Sequence, residues 1–209
     1  MTRALIVDWG GVLTVPLGDA MRAWAQAEGM PYDEMMSLLD WYVPTTDDEV
    51  HIIHALERGE SGRELVAQWL AEQLRHQHDV HVTADGLIDR MFGYLEPYDE
   101  ILHLCREARE QGWTTAVLSN SWDNPYPVHR WDGAFDEIVI SGQVGMRKPE
   151  ERIFRHTLDL LGVAAHDAVF VDDEEPNIIA ARAMGMTAIL AVDLEFAANE
   201  IRALLQPTG

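Results

Sequence analysis

The stretch Ala4–Leu13 constrains the fold of this chain more than any other. Four apolar residues run directly into a carboxylate, Asp8, and two glycines, Gly10 and Gly11, follow almost at once. A short, wholly apolar run is typical of a strand that is buried on both faces of a parallel sheet. Asp8 is then expected at the carboxyl end of that strand, where open α/β sheets bind their ligands. The glycines allow the backbone to turn sharply and to approach a ligand closely.

Regular alternation of strand and helix patterns predicts the rest of the sheet. Strands are expected at Thr115–Leu118, around Glu137–Ile140, at Ala168–Val171 and at Thr187–Ala191. Helices are expected up to Gln111, over Glu150–Leu161, from Pro176 to about Gly185, and over Glu195–Leu205. Alternation of this kind is typical of a parallel sheet with right-handed crossovers, so the predicted fold class is α/β.

Polar residues follow two of the predicted strands directly. Ser119 comes after one strand, and Asp172 and Asp173 come after another. Because the carboxyl ends of parallel strands meet at one edge of the sheet, we expect these side chains to lie near Asp8.

The segment from Pro16 to about Tyr98 shows no second buried strand and is predicted to be helical. Capping-box patterns stand at Thr46-x-x-Glu49 and Ser61-x-x-Glu64. Helical stripes follow them, with Val50, Ile53, His54 and Glu57 in one and Leu65, Trp69 and Glu72 in the other. The segment is much longer than a single crossover helix. We therefore predict a helical domain, residues 16–97, inserted into an α/β core formed by residues 1–15 and 98–209.

The charge balance restricts the partners. The formal net charge of −21 argues against nucleic acid or an anionic membrane as a partner. A phosphate site in such a chain must obtain its positive potential locally, from a metal ion, helix N-termini and a few cations. No apolar run is long enough to cross a bilayer, and only three residues precede the first strand, which leaves no room for a signal peptide. A cytoplasmic protein with a small-molecule partner is expected.

One basic residue and one cysteine stand out. Lys148 is the only lysine among fifteen basic residues. An ammonium is a compact point charge, whereas arginine is used at every other basic position, so Lys148 is a candidate for a specific electrostatic role. Cys105 is the only cysteine, which excludes a disulfide framework and a thiolate metal cluster, and its helical stripe places it in the core.

Four segments together resemble the signature motifs of the haloacid dehalogenase superfamily of phosphohydrolases, in that family's order. They are Asp8-Trp9-Gly10-Gly11-Val12-Leu13, Leu118-Ser119-Asn120-Ser121-Trp122, Gly145-Met146-Arg147-Lys148-Pro149, and Val171-Asp172-Asp173 with Asn177 four residues beyond. The second and third are most similar to the phosphatase domain at the N-terminus of vertebrate soluble epoxide hydrolases. The resemblance implies a Rossmann-like parallel sheet core, with the helical insert as the family's cap.

The resemblance also implies roles for the matching positions. Asp8 is the expected nucleophile and forms an aspartyl-phosphate, which divides a difficult hydrolysis into two easier steps. Ser119 and the backbone N–H of Asn120 are expected to hold the phosphoryl oxygens. Lys148 is expected to neutralise charge on Asp8 and on the transferring group.

Mg²⁺ is the cofactor that the resemblance implies. Its expected ligands are Asp8, Asp173 and the backbone carbonyl of Gly10, with Asp172 beside Asp173, because Mg²⁺ takes few protein carboxylates and keeps several waters. Gly10 departs from the family pattern, since phosphatases of this superfamily usually carry a second aspartate there, which protonates the leaving group and activates water. Such acid–base help contributes about 10²–10⁴-fold, so a slow phosphatase acting on a small phosphorylated metabolite is predicted.

Other functions are found on chains with similar motifs. A catalytically impaired module that binds phosphate or a partner is the main alternative. A 2-haloacid dehalogenase attacks carbon and needs no metal, and the adjacent acids Asp172 and Asp173 would then repel Asp8 without a cation. A phosphonoacetaldehyde hydrolase is excluded, because the cap lacks the Schiff-base lysine of that branch. Asp123, or Thr14 through a water, is a candidate replacement for the missing acid.

Several histidines and tryptophans allow more than one interpretation. His76-x-His78-x-x-His81 is interpreted as a solvated connector rather than a zinc site, because this spacing alone does not supply a closed tetrahedral shell. His51 and His54 share one helix face and either reach the substrate or line the cap's core. Trp9 and Trp122 each adjoin a predicted catalytic segment.

Overall fold

The computed structural model describes residues 3–38 and 51–206. Five parallel strands form one sheet in the order β3-β2-β1-β4-β5. The strands are β1 (Ala4–Val7), β2 (Thr114–Ser119), β3 (Glu137–Ile140), β4 (Ala168–Asp172) and β5 (Thr187–Leu190). β1 lies at the centre, with Val7 in register with Val117 of β2 and Val171 of β4. The predicted α/β class with a parallel sheet is confirmed.

Helices surround this sheet and extend from it after β1. They are, in chain order, α1 (Leu17–Glu28), α2 (Tyr32–Leu38), α3 (Ile52–Glu57), α4 (Arg63–His78), α5 (Leu87–Phe92), α6 (Asp99–Glu110), α7 (Ser141–Val144), α8 (Glu151–Leu161), α9 (Glu175–Ala183) and α10 (Leu194–Leu205). Within residues 3–38 and 51–206, none of the helices has the length and apolar character needed to cross a bilayer.

The sheet is covered on both faces, which explains its almost continuous apolar strands. Helices α6 and α10 bury their apolar residues against one face, and helices α8 and α9 against the other. Every residue of β1 is buried. Cys105 is fully buried in α6, as expected from its stripe.

Helices α1–α5 form an apolar cluster of their own. Trp24 is fully buried at its centre, and Trp122 joins it from the core. The two chain segments that connect this cluster to the sheet lie side by side, with an antiparallel bridge between Thr14 and Pro97. This arrangement supports the predicted cap; its boundaries, 16–97, stay a prediction.

Two details of the cap differ from the sequence analysis. Helix α4 begins at Arg63 with Gly62 as its N-cap and no side-chain cap, so the capping box predicted at Ser61 is wrong. Leu65, which the predicted stripe places in the core, is 52% exposed. The buried face of α4 begins one residue later and contains Val66, Leu70 and Leu74. The predicted Thr46–Glu49 capping box and Val50 lie outside the described residues.

Candidate active site

The carboxyl edge of the sheet brings three of the four motifs together. Asp8 follows β1, Ser119 ends β2 and Asp172 ends β4, and the parallel register aligns these ends. All three residues are buried. The predicted convergence of polar groups at this edge is therefore present.

Lys148 reaches this edge from the loop after α7. It is 1% exposed, with Nζ 3.0 Å from Asp8 Oδ1 and 2.6 Å from Asp172 Oδ2. Its backbone is held by the Asn120 side chain, whose Oδ1 accepts from Lys148 N at 2.8 Å and whose Nδ2 donates to Lys148 O at 3.1 Å. Burial opposes the charged ammonium, but Asp172 and Asp8 outweigh it and raise the pKa of Lys148. Lys148 is therefore a fixed positive charge beside Asp8.

Asp172 and Asp173 differ in what they contact. Asp172 is fully buried and accepts hydrogen bonds from Lys148 Nζ, from Glu174 N at 2.8 Å and from Asn177 Nδ2 at 3.0 Å. Asp173 is partly exposed and lines the pocket above the sheet edge. Asp172 therefore anchors the lysine, whereas Asp173 faces the pocket, and the roles predicted for the two residues beside Mg²⁺ stay a prediction.

The residues at this edge fit a cation. Carboxylate oxygens of Asp8, Asp172 and Asp173 all lie within 4.8 Å of one another. Burial, with the repulsion of Asp172, raises the pKa of Asp8 to about 6 although Lys148 opposes the rise, and burial and the same repulsion raise the pKa of Asp173. Asn177 Oδ1 is buried without a hydrogen-bond partner. Crowded carboxylates beside an orphaned acceptor oxygen suit a hard divalent ion.

The two glycines after Asp8 play different structural parts. Gly11 has φ +71°, and a Cβ there would overlap the carboxylate of Asp173. Gly10 has no such φ, and a Cβ built on it meets no atom within 4 Å. Gly11 therefore gives Asp173 its position, a role that the sequence analysis missed, and the side chain absent at Gly10 leaves open space.

Ser119 is oriented by a residue that the sequence analysis did not single out. The Tyr126 hydroxyl donates to Ser119 Oγ at 3.1 Å, and the Tyr126 ring packs edge-on against Trp9 with centroids 4.9 Å apart. Burial raises the pKa of Tyr126 to about 12, so its hydroxyl keeps its proton.

A pocket of about 620 Å³, including its open mouth, lies over these groups. Its floor carries the polar residues Asp8, Ser119, Lys148 and Asp173. Its other walls are mostly apolar and include Leu17, Met21, Met91, Phe92, Leu95 and Trp122. Glu57 of α3 is the charged side chain that the described part of the cap contributes.

The structure does not bring the candidate replacement acids to the reaction centre. Asp123 is exposed and is absent from the pocket's described lining. Thr14 Oγ1 accepts from Gly11 N at 2.9 Å and donates to the Val15 carbonyl at 3.1 Å, so it is committed to the loop.

The histidines also lie away from the pocket's described lining. His51 caps α3 through Nδ1, and its ring centroid is 5.2 Å from that of His54. Among residues 3–38 and 51–206, the groups that could hold a metal do not include His76, His78 or His81.

Comparison with known proteins agrees with this geometry. The family model described as haloacid dehalogenase-like hydrolase matches residues 2–185. The chain is 33% identical to mouse bifunctional epoxide hydrolase 2 over 226 residues, which cover 99% of this chain and 39% of that protein. It is 33% identical to the sesquiterpene phosphatase astK of Aspergillus oryzae over 118 residues, which cover 54% of this chain and 60% of that protein. The chain therefore spans 39% of the length of one relative and 60% of the length of the other.

Solved structures share the fold. A predicted HAD-like hydrolase from Porphyromonas gingivalis superposes with a TM-score of 0.70 at 22% identity, with all of both chains covered. A HAD family enzyme from Bacteroides thetaiotaomicron, solved with magnesium and inorganic phosphate, gives 0.59 at 19% identity, with 91% of this chain and 94% of that chain covered. The expected fold and family are confirmed, and with the family the assignment to the hydrolases. The chain belongs to the haloacid dehalogenase-like hydrolases.

Proposed function

We propose that this hydrolase is a Mg²⁺-dependent phosphatase that transfers the phosphoryl group of a small phosphorylated metabolite to Asp8 and then to water. The buried position of Lys148 between Asp8 and Asp172 is the observation that carries the proposal. A fixed ammonium 3.0 Å from the nucleophile's oxygen stabilises the extra negative charge that a phosphoryl group brings.

The metal-binding residues proposed are Asp8, Asp173 and the Gly10 carbonyl. When bound, Mg²⁺ neutralises charge on the carboxylates and on the phosphoryl oxygens. The raised pKa values of Asp8 and Asp173 support this assignment, since they indicate a site short of positive charge. The Bacteroides thetaiotaomicron relative, solved with magnesium and inorganic phosphate, adds support by analogy.

The remaining residues position the phosphoryl group. Asp172 holds Lys148, and Tyr126 donates to Ser119 Oγ. The Ser119 hydroxyl itself donates to the Asn120 carbonyl at 3.4 Å, a long hydrogen bond that the proposed function exchanges for one to a phosphoryl oxygen. The Asn120 backbone N–H is the second proposed donor. These groups are preorganised, so they cost little rearrangement when charge develops during transfer.

The cap wall of the pocket supports a substrate whose organic part is apolar and uncharged. The cap contains no lysine, and none of its five arginines, at positions 22, 58, 63, 75 and 90, lines the pocket. A second phosphate or a carboxylate on the substrate would therefore find no cation in the described wall. One of the relatives is named a sesquiterpene phosphatase, and a sesquiterpene is an apolar, uncharged group.

Gly10 favours the second candidate function, a module that binds phosphate without turnover, because glycine cannot transfer a proton. The proposed enzyme works without that acid on substrates with good leaving groups. Dehalogenase activity is disfavoured by the three converging carboxylates. The expected cytoplasmic location stays a prediction.

A Mg²⁺-dependent phosphatase screen tests the proposal. We expect turnover of aryl and acyl phosphates, and KM values that fall along a series of linear acyl phosphates of increasing chain length, because each buried CH₂ contributes about 0.8 kcal/mol. Succinyl phosphate, which has the same good leaving group but a second anion that meets the apolar wall, is the matched poor substrate. Absence of turnover on every phosphate, with phosphate binding intact, would establish the binding module instead.

A further inference from the structure

A buried ion pair joins the cap to the loop that carries Lys148. Glu57, the last residue of α3, is 4% exposed, and Arg147 is 6% exposed. Arg147 Nε donates to Glu57 Oε2, across 90 residues of sequence. A pair buried this deeply has lost the hydration of both charges, so removal of one partner leaves the other uncompensated.

The backbone of the cap is held at the same point. Ser141 Oγ donates to the Glu57 carbonyl and accepts from Ser121 N at 2.8 Å. Gly59 and Gly142 lie so close that a Cβ on Gly59 would overlap the Gly142 carbonyl oxygen. Ser141 of α7 therefore links the C-terminal end of α3 to the segment that follows Asn120, while Glu57 reaches the loop of Lys148.

Arg147 is held through its backbone as well as through its side chain. Its N–H donates to Glu150 Oε2 at 3.2 Å, and Glu150 Oε1 accepts from Arg58 Nη1 of the cap at 3.5 Å. The next residue is Lys148, whose own backbone is held by Asn120. A shift of the Arg147 backbone would therefore strain the two hydrogen bonds that join the Lys148 backbone to the Asn120 side chain.

We propose that Glu57 is a positioning residue for Lys148 and acts through Arg147. With α3 docked, Glu57 holds the Arg147 side chain, and the Lys148 backbone is fixed so that Nζ lies between Asp8 and Asp172. The phosphate subsite is then complete only when the cap is docked, which couples closure over the substrate to the placement of the catalytic charge. The inference rests on the proposed function, because that function gives Lys148 its role.

Glu60 provides a matched control. It stands three residues after Glu57 and also pairs with an arginine, Arg58, but its side chain is 52% exposed. Exposed pairs of this kind contribute little, so Glu60→Gln should change every measurement by less than about twofold.

The test compares phosphate binding and turnover in the full-length chain with Mg²⁺. Glu57→Gln and Arg147→Met should each weaken the binding of inorganic phosphate about tenfold, within the usual range of coupling between two sites. The value of kcat/KM for an aryl phosphate should fall by a similar factor. Mg²⁺ affinity, which depends on Asp8 and Asp173, should stay within about twofold of wild type. The double variant should lose no more phosphate affinity than the weaker-binding single variant, because both changes break the same Glu57–Arg147 ion pair.

Three outcomes separate this proposal from a structural role and from the proposed function. A lower melting temperature with unchanged phosphate affinity would show a purely structural pair and overturn the inference. Loss of phosphate affinity in a protein whose wild type has no turnover would support positioning and reject the phosphatase. Should Glu57→Gln fail to fold, Arg147→Met carries the test, because the buried Glu57 carboxyl can neutralise itself by taking up a proton.

Discussion

The sheet edge and the cap wall face each other across one pocket, and they differ in almost every physical property. The edge carries Asp8, Lys148 and Asp173, held by hydrogen bonds and ion pairs to the ends of buried strands. The cap wall is apolar apart from Glu57. In the proposed function the sheet edge supplies the reacting groups, whereas the apolar cap wall selects the organic part of the substrate and Glu57 reaches across to the loop of Lys148. Each prediction below alters one side of this division.

The largest effect is expected from a methyl group on Gly11. In Gly11→Ala the new Cβ overlaps the Asp173 carboxylate and strains a backbone at φ +71°. The strain costs about 1–3 kcal/mol, and displacement of a metal ligand should lower turnover by about 10²-fold. Steady-state kinetics measure the loss of turnover, and the Mg²⁺-induced shift in melting temperature measures the loss of metal binding.

Gly10→Ala is the matched control, since its Cβ enters open space without a positive φ. It should fold, bind Mg²⁺ and retain turnover close to wild type. Equal damage in the two variants would contradict the distinct roles assigned to these neighbouring glycines.

The crowded carboxylates should make the metal-free protein sensitive to pH. Asp8 has a pKa of about 6 in the folded protein, above its value of 3.8 when unperturbed, so the folded state favours the protonated form. The protonated Asp8 carboxyl stabilises the folded protein fully below about pH 4, and this stabilisation is lost as the pH rises through about 6. The free energy of unfolding then falls by about 3 kcal/mol, at 1.36 kcal/mol per pKa unit. Asp173, whose pKa is also raised, adds to this fall in the free energy of unfolding.

Mg²⁺ should reverse the loss of stability at higher pH, because the ion stabilises the charged carboxylates. At about 100 times its Kd the ion adds about 2.7 kcal/mol to the free energy of unfolding. Thermal melting from pH 4 to 8 with Mg²⁺ or with chelator measures the effect. The Asp173→Asn variant should melt almost independently of Mg²⁺, and an undiminished shift in this variant would remove Asp173 from the ligand set.

A smaller and more selective effect is expected from Gly10→Asp. A Cβ at Gly10 meets no atom within 4 Å and Gly10 lines the pocket, so we expect the variant to fold and to supply the missing proton donor. Alkyl-phosphate turnover should rise by up to about 10²-fold, whereas acyl-phosphate turnover should rise much less, because its leaving group hardly needs a proton. The ratio of the two gains is the quantity to measure, and equal gains would refute the leaving-group argument.

The sheet edge could be predicted from sequence because its signals are local. Asp8, Ser119 and Asp172 each end a short apolar strand, and the register of a parallel sheet brings such ends together without further information. The lone lysine, Lys148, stood out by residue type alone.

The cap contacts could not be predicted in this way. Glu57 meets Arg147 across 90 residues, and no local pattern encodes such a pairing. The α4 stripe was placed one position out of phase, since Leu65 and Val66 are both apolar and only tertiary packing decides which is buried. Helix α7 spans four residues, too few for a helical period to be visible.

Trapping the covalent intermediate tests the central claim most directly. Wild-type protein is mixed with an aryl phosphate and Mg²⁺, quenched in acid during turnover, digested, and its peptides are weighed by mass spectrometry. The account predicts a phosphoryl group on the peptide that contains Asp8, and neither label nor turnover in a folded Asp8→Asn variant, in which the attacking carboxylate is lost. Sustained turnover in Asp8→Asn, or a phosphoryl group on any other residue, would contradict it.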